Sequence, residues 1–121
     1  MLRMSVEQFE GVVAEALEEL PSALAEHIEN LMVMVEDEPE RQLLVDFGMD
    51  PDEDLLFGLY EGVALPRRGS SYSGTLPDRI LIYRLPLLEA CATRRELRRE
   101  IRLTVIHELG HYFGLEEEEL P

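Results

Sequence analysis

The sequence predicts an α+β domain: a small mixed sheet, an N-terminal helix, and a C-terminal helix that carries an H-E-x-x-H motif. Three observations lead there. Phe9, Val12, Val13, Ala16, Leu17 and Leu20 form a stripe at three-and-four spacing, which is the pattern of an amphipathic helix. Short apolar runs follow at 31–35, 55–63 and 80–85, of strand length and set between turn residues. Thr93-Arg94-Arg95-Glu96 then reads as a capping box, and Gly114 stands where a long helix would end. No repeat, low-complexity linker or composition break divides the chain. Its 121 residues therefore read as one domain, 1–121, large enough for a core without disulfides.

Each element has a local reason. Ser5-Val6-Glu7-Gln8 is a capping box, so the first helix runs from there to about Leu20. Pro21 ends it and opens a short helical turn through His27. His27 reads as a surface or half-packed histidine, with a distant metal ligand as the lesser alternative. Leu31-Met32-Val33-Met34-Val35 is a continuous apolar run, a buried strand with methionine as core filler. Glu36 to Pro39 make an acidic turn, and Glu40 to Phe47 make two helical turns closed by Gly48. That acidic stretch lacks the alternating ligands of a calcium loop and reads as solvated.

Leu55 to Val63 forms a second strand whose glycines, Gly58 and Gly62, mark a bulge or the close approach of another backbone. Pro66 to Pro77 is the long polar loop, a surface connection with Arg67, Arg68 and Tyr72 as the residues a lid would carry. Ile80 to Leu85 is a third strand, stopped by Pro86, and Leu87 to Ala92 make another helical turn. The final helix covers about Arg94 to Tyr112. Its five arginines are interleaved with Glu96 and Glu100 and read as a solvated face.

Composition narrows the function. There are 26 acidic residues against 11 basic ones, all arginine, for a net charge of −15. Such a surface repels phosphate backbones, which argues against nucleic acid as a partner. The lone Cys91 excludes an internal disulfide and suits a reducing cytoplasm. No apolar stretch has the length of a membrane span or the form of a signal peptide.

The chemistry lies in His107-Glu108-Leu109-Gly110-His111. Residues four apart share one helix face, so His107 and His111 can aim two imidazoles at a single point. Glu108 projects beside them, placed to act as general base toward a water. Helix glycine costs up to about 1 kcal/mol relative to alanine, so Gly110 between the histidines implies a need for room. Glu116 to Glu119 crowd four carboxylates past a helix C-terminus, where the dipole disfavours anions and a divalent cation would compensate. Counting on from His107, the pattern extends to H-E-x-x-H-x-x-G-x-x-E with Glu117 as the third ligand. Glu116, Glu118 or water are the alternatives.

This stretch resembles the long zinc motif of the metzincins. It is more closely similar to a family of small bacterial zincin-like proteins, possible metallopeptidases with a matrix-metalloprotease-like domain. Leu56-Phe57-Gly58-Leu59-Tyr60-Glu61-Gly62-Val63 and Asp78-Arg79-Ile80-Leu81-Ile82-Tyr83-Arg84-Leu85-Pro86 also look like that family's middle section. The family usually has Asp at the third-ligand place, where this chain has Glu117, and no Met-turn follows the motif. The resemblance implies a compact zincin-like fold, a Zn2+ ion on His107, His111 and Glu117, and hydrolysis of a peptide or protein substrate with Glu108 as base. Tyr83, Arg84 and Tyr72 are candidates to steady the developing oxyanion. A cleft needs a lower wall, and only Leu115 to Pro121 follow the motif. A short substrate, or a partner chain or homo-oligomer that completes the cleft, is expected. The rival reading is an inactive metal-binding or protein-interaction module. A metal-dependent ribonuclease comes third, because it would want a third ligating histidine and a basic groove.

Overall fold

The computed structural model describes residues 2–62 and 78–115. Five helices and three strands occur among them. In order they are α1 (Val6–Glu18), α2 (Ser22–Ile28), β1 (Met32–Glu36), α3 (Arg41–Asp46), β2 (Gly58–Glu61), β3 (Arg79–Tyr83), α4 (Arg84–Ala90) and α5 (Arg94–Tyr112). The expected α+β class is the one observed.

α1 starts as its capping box directs. The Ser5 hydroxyl accepts from the Gln8 N–H at 3.1 Å, and the Gln8 side chain accepts from the Ser5 N–H at 2.9 Å. Two of the amides that every helix start leaves unpaired are thereby satisfied. Phe9, Val12, Val13 and Ala16 then turn inward. They meet Leu97, Ile101, Val105 and Leu109 of α5 in one buried cluster. The sheet supplies Ile80 and Ile82 from β3, with Val33 and Val35 of β1 packed against them. Alternation along the strands puts Leu81 and Tyr83 on the other face.

The sheet is mixed, in the order β1-β3-β2. β1 runs parallel to β3, with Val33 opposite Ile80 and Val35 opposite Ile82. β2 runs antiparallel, with Gly58 opposite Ile82 and Tyr60 opposite Ile80. Gly58 and Tyr60 therefore share the face that looks toward the helices. β2 is shorter than the apolar run that announces it, because Leu55 to Phe57 lead in without pairing as strand.

Three expectations change. β1 is not a buried strand: none of its residues is fully buried and Met32 is 47% exposed, so its methionines are not core filler. Pro86 does not stop β3; it sits in the first turn of α4, which begins at Arg84. A proline is tolerated there because first-turn amides have no intrahelical partner. The arginines of α5 are also more than a solvated face. Arg94 and Arg98 reach Glu15, and Arg98 and Arg102 reach Glu19, at 2.6–3.5 Å. These pairs lace α1 to α5 along the rim of the apolar contact. The hydrogen bond from Arg94 holds the Glu15 carboxyl below its usual range. A lowered carboxylate pKa contributes stability above the unfolded value, which is lost as pH falls through the folded one. Replacing Arg94 with alanine is expected to move the Glu15 carboxyl midpoint upward in an NMR titration.

Candidate metal centre

α5 is held at both ends by its own sequence. At its start the Thr93 hydroxyl accepts from the Glu96 N–H at 3.1 Å. At its end Phe113 is the C-cap and Gly114 has φ +88°. That left-handed backbone favours glycine. The Gly114 N–H donates to His111 O and the Leu115 N–H to Gly110 O, each at 2.9 Å. This is the paired bonding of a Schellman turn.

The turn does more than end the helix. It folds the Leu115 carbonyl back onto the His111 ring, with Nδ1 3.1 Å from Leu115 O. A carbonyl can only accept, so this contact selects the tautomer protonated at Nδ1 and leaves Nε2 as the lone-pair nitrogen. Orienting a ligating histidine through its other nitrogen is the usual outer-shell device of metal sites.

His107 stands one turn earlier on the same face. The two imidazole centroids are 5.2 Å apart, with ring planes at 79°. His107, Glu108 and His111 each offer one ligand atom, all within 4.8 Å of one another. Two imidazole nitrogens beside a carboxylate make a donor set that suits zinc. Both histidines are half-buried, so the group opens to solvent on one side.

Glu108 is placed differently. It is only 7% exposed, and its Oε1 accepts from the Tyr60 N–H of β2 at 2.8 Å. A buried carboxylate needs such a donor, and this one fixes the side chain between sheet and helix. The approach depends on Gly58. A Cβ there would lie 2.6 Å from Thr104 Cγ2 and 2.9 Å from the Leu81 carbonyl, with Glu108 Cγ just behind at 3.7 Å. The glycine thus marks close approach of other groups. Gly58→Ala is expected to cost about 1–3 kcal/mol, since a central-strand carbonyl cannot easily move aside. Urea unfolding would measure it.

Aromatic rings close the far end. Tyr60 and Tyr112 meet edge to face at 5.9 Å. His27 stacks edge-on against Phe113 at 4.8 Å and near Tyr112 at 6.2 Å. That is the half-packed histidine expected from the sequence, joining α2 to the end of α5. Of the oxyanion candidates, Tyr83 is 2% exposed, and burial, with Glu36 and Glu61 nearby, pushes its phenol up to about 12. Arg84 is engaged with Asp37 at 3.0 Å and with the Met4 carbonyl at 3.0 Å. Tyr72, Arg67, Arg68 and the whole 66–77 loop lie outside the described residues, as do Glu116, Glu117 and Glu118.

Sequence reasoning missed the Tyr60 amide as the anchor of Glu108. It also missed the cleft beside the motif, where Leu56, Phe57, Leu103 and Ile106 surround a volume of about 450 Å³ open to His107 and Glu108. The glycine at 58 was the one available signal for both.

No curated protein matches the chain significantly. Among solved structures, a conserved hypothetical protein from Thermo thermophilus superposes with a TM-score of 0.58 at 24% identity. The match covers 91% of this chain and 94% of that one, so the two share a fold. The profile of the zincin-like metallopeptidases matches residues 28–121, a span that takes in the whole sheet and the paired histidines of α5. By fold, by motif and by this match, the chain belongs to the zincin-like metallopeptidase family.

Proposed function

We propose that the protein is a zinc-dependent peptidase, with His107 and His111 as metal ligands, Glu117 as the third, and Glu108 as general base. The observation that carries the reading is the convergence of His107, Glu108 and His111 within 4.8 Å at an open face of α5. When bound, zinc would supply Lewis-acid activation of water and of a peptide carbonyl. The chain's residues do the rest. His111 is oriented by Leu115 O, and His107 presents its ring one turn away. Glu108, steadied by the Tyr60 amide, takes a proton from the attacking water and passes it to the departing amine. The substrate is a peptide or protein, and a partner chain or second copy is proposed to complete the cleft. The lone Cys91 is buried, which fits work in the cytoplasm. Among the described residues no helix is long and apolar enough to cross a membrane.

The deciding experiment is hydrolysis of a peptide library by zinc-loaded protein. Turnover that chelation stops and zinc restores supports the reading; bound zinc with no cleavage of any peptide removes it.

One observation favours a second reading, a metal-holding interaction module without turnover. Glu108 already serves as a tether between α5 and β2, and a structural duty can account for a buried glutamate unaided. That module would bind zinc, gain thermal stability from it and cleave nothing.

A further inference from the structure

We infer that the outer edge of β1 is a homodimer interface, where a second copy of the chain pairs its own β1 antiparallel about a two-fold axis at Met34. The inference does not depend on the peptidase reading. β1 ends the sheet order β1-β3-β2 and pairs only with β3 among the described residues. The Met32 N–H donates to Asp78 O at 3.0 Å, on the β3 side. Successive peptide groups of a strand point to opposite edges, so the amides of Met34 and Glu36 also face β3. The N–H and C=O of Val33 and Val35 face outward. Among the described residues nothing bonds these outward groups. The edge is also apolar. Leu31 to Val35 hold no charge and no proline, Met32 is 47% exposed, and the register against β3 runs on without a bulge. Charges, prolines and bulges are the devices that keep an open edge from pairing. β1 has none of them, and its composition is that of an interior strand.

The occupant is a second copy because the edge matches itself. In the antiparallel pair Val33 meets the second copy's Val35, and Val35 meets the second copy's Val33. Each pair exchanges both of its amide bonds. Met34 then faces Met34 across the axis, in the closer kind of cross-strand neighbour. Glu36, Asp37 and Glu38 fall opposite Met32, Leu31 and Asn30, none of them charged. A parallel in-register pair would instead set these acids against one another, in two chains of net charge −15 each. The two-fold contact closes on itself and stops at two chains. It joins the sheets in the order β2-β3-β1-β1-β3-β2. Glu108 is tied to Tyr60 of β2, at the far edge of each sheet. This contact therefore leaves both candidate metal centres uncovered, and any chain that completes the cleft would reach it from the β2 side.

Analytical ultracentrifugation of the full chain across a range of concentrations is the test, and it should find twice the 13.9 kDa chain mass. Met34→Lys sets two like charges against each other at the axis and should weaken dimerisation about tenfold or more. Met32→Lys places the same charge opposite Glu36 of the second copy and should keep or tighten the dimer. Met32 is half-exposed, so the fold accepts that change. Hydrogen exchange supplies a readout that needs no variant. The Val33 and Val35 amides should exchange more slowly as concentration rises, while those of Met32 and Met34, already bonded to β3, should not change. A chain that is monomeric at every concentration overturns the inference and leaves the edge to a strand of another protein. A dimer that a folded Met34→Lys leaves intact, or that Met32→Lys breaks apart, overturns it as well. If Met34→Lys does not fold, exchange decides, and Val33 and Val35 rates that ignore concentration overturn the inference.

Discussion

Zinc content is expected to fall from one ion per chain to none when His107 and His111 are both replaced by alanine. Elemental analysis of metal-loaded protein is the direct measurement. The variant should still fold, because both histidines are half-buried on the rim of α5 and neither belongs to the buried cluster. A second readout follows from linkage. A ligand bound only by the folded state, at a concentration of about 100 Kd, stabilises by ~2.7 kcal/mol. In a domain of this size that corresponds to a rise in Tm on the order of 10 °C. Wild-type protein should show this rise with zinc and lose it with a chelator. The double variant should melt at one temperature under both conditions. A variant that retains zinc would place the metal elsewhere and remove the site.

Glu108→Gln is expected to reduce peptide hydrolysis by about 10²–10⁴-fold, the usual contribution of a positioned proton acceptor. Stability should hardly change. The glutamine carbonyl can still accept the Tyr60 N–H, so the tie between α5 and β2 survives. Glu108→Ala makes the informative contrast. It removes the acceptor and leaves a strand amide facing a vacated, buried space, at a cost of about 1–3 kcal/mol. Urea unfolding of the two variants separates tether from base. Hydrolysis that persists in Glu108→Gln would exclude the general-base role, and the metal-holding module would then be the better description.

Much of this was legible in the sequence, for reasons that are local. The capping box of α1, the Thr93 cap of α5, the stripe of α1 and the length of α5 follow from contacts within a few residues, which spacing records directly. His107 and His111 are four residues apart on one helix, so their convergence needs no knowledge of the fold. The turn at Gly114 is equally local. What stayed hidden depends on partners far along the chain. Tyr60 and Glu108 are 48 residues apart, and nothing at either position announces a bond between a backbone amide and a carboxylate. The arginines of α5 were undervalued for the same reason, since Glu15 and Glu19 lie on a helix some eighty positions earlier. Pro86 misled because a proline after an apolar run marks a strand end or a helix start equally well.

The Tyr60–Glu108 bond also has a kinetic meaning. An isolated α5 can bring its two imidazoles together within about a microsecond, because helix formation is a short-range event. The setting of the carboxylate must wait for β2 to settle beside β3, and β3 must in turn find β1, its parallel neighbour from much earlier in the chain. Pairings of that kind carry the loop-closure cost that slows folding. On the peptidase reading, a nascent chain can capture a metal before Glu108 is in place, so ion uptake and the proposed hydrolysis should appear as two separate steps on refolding.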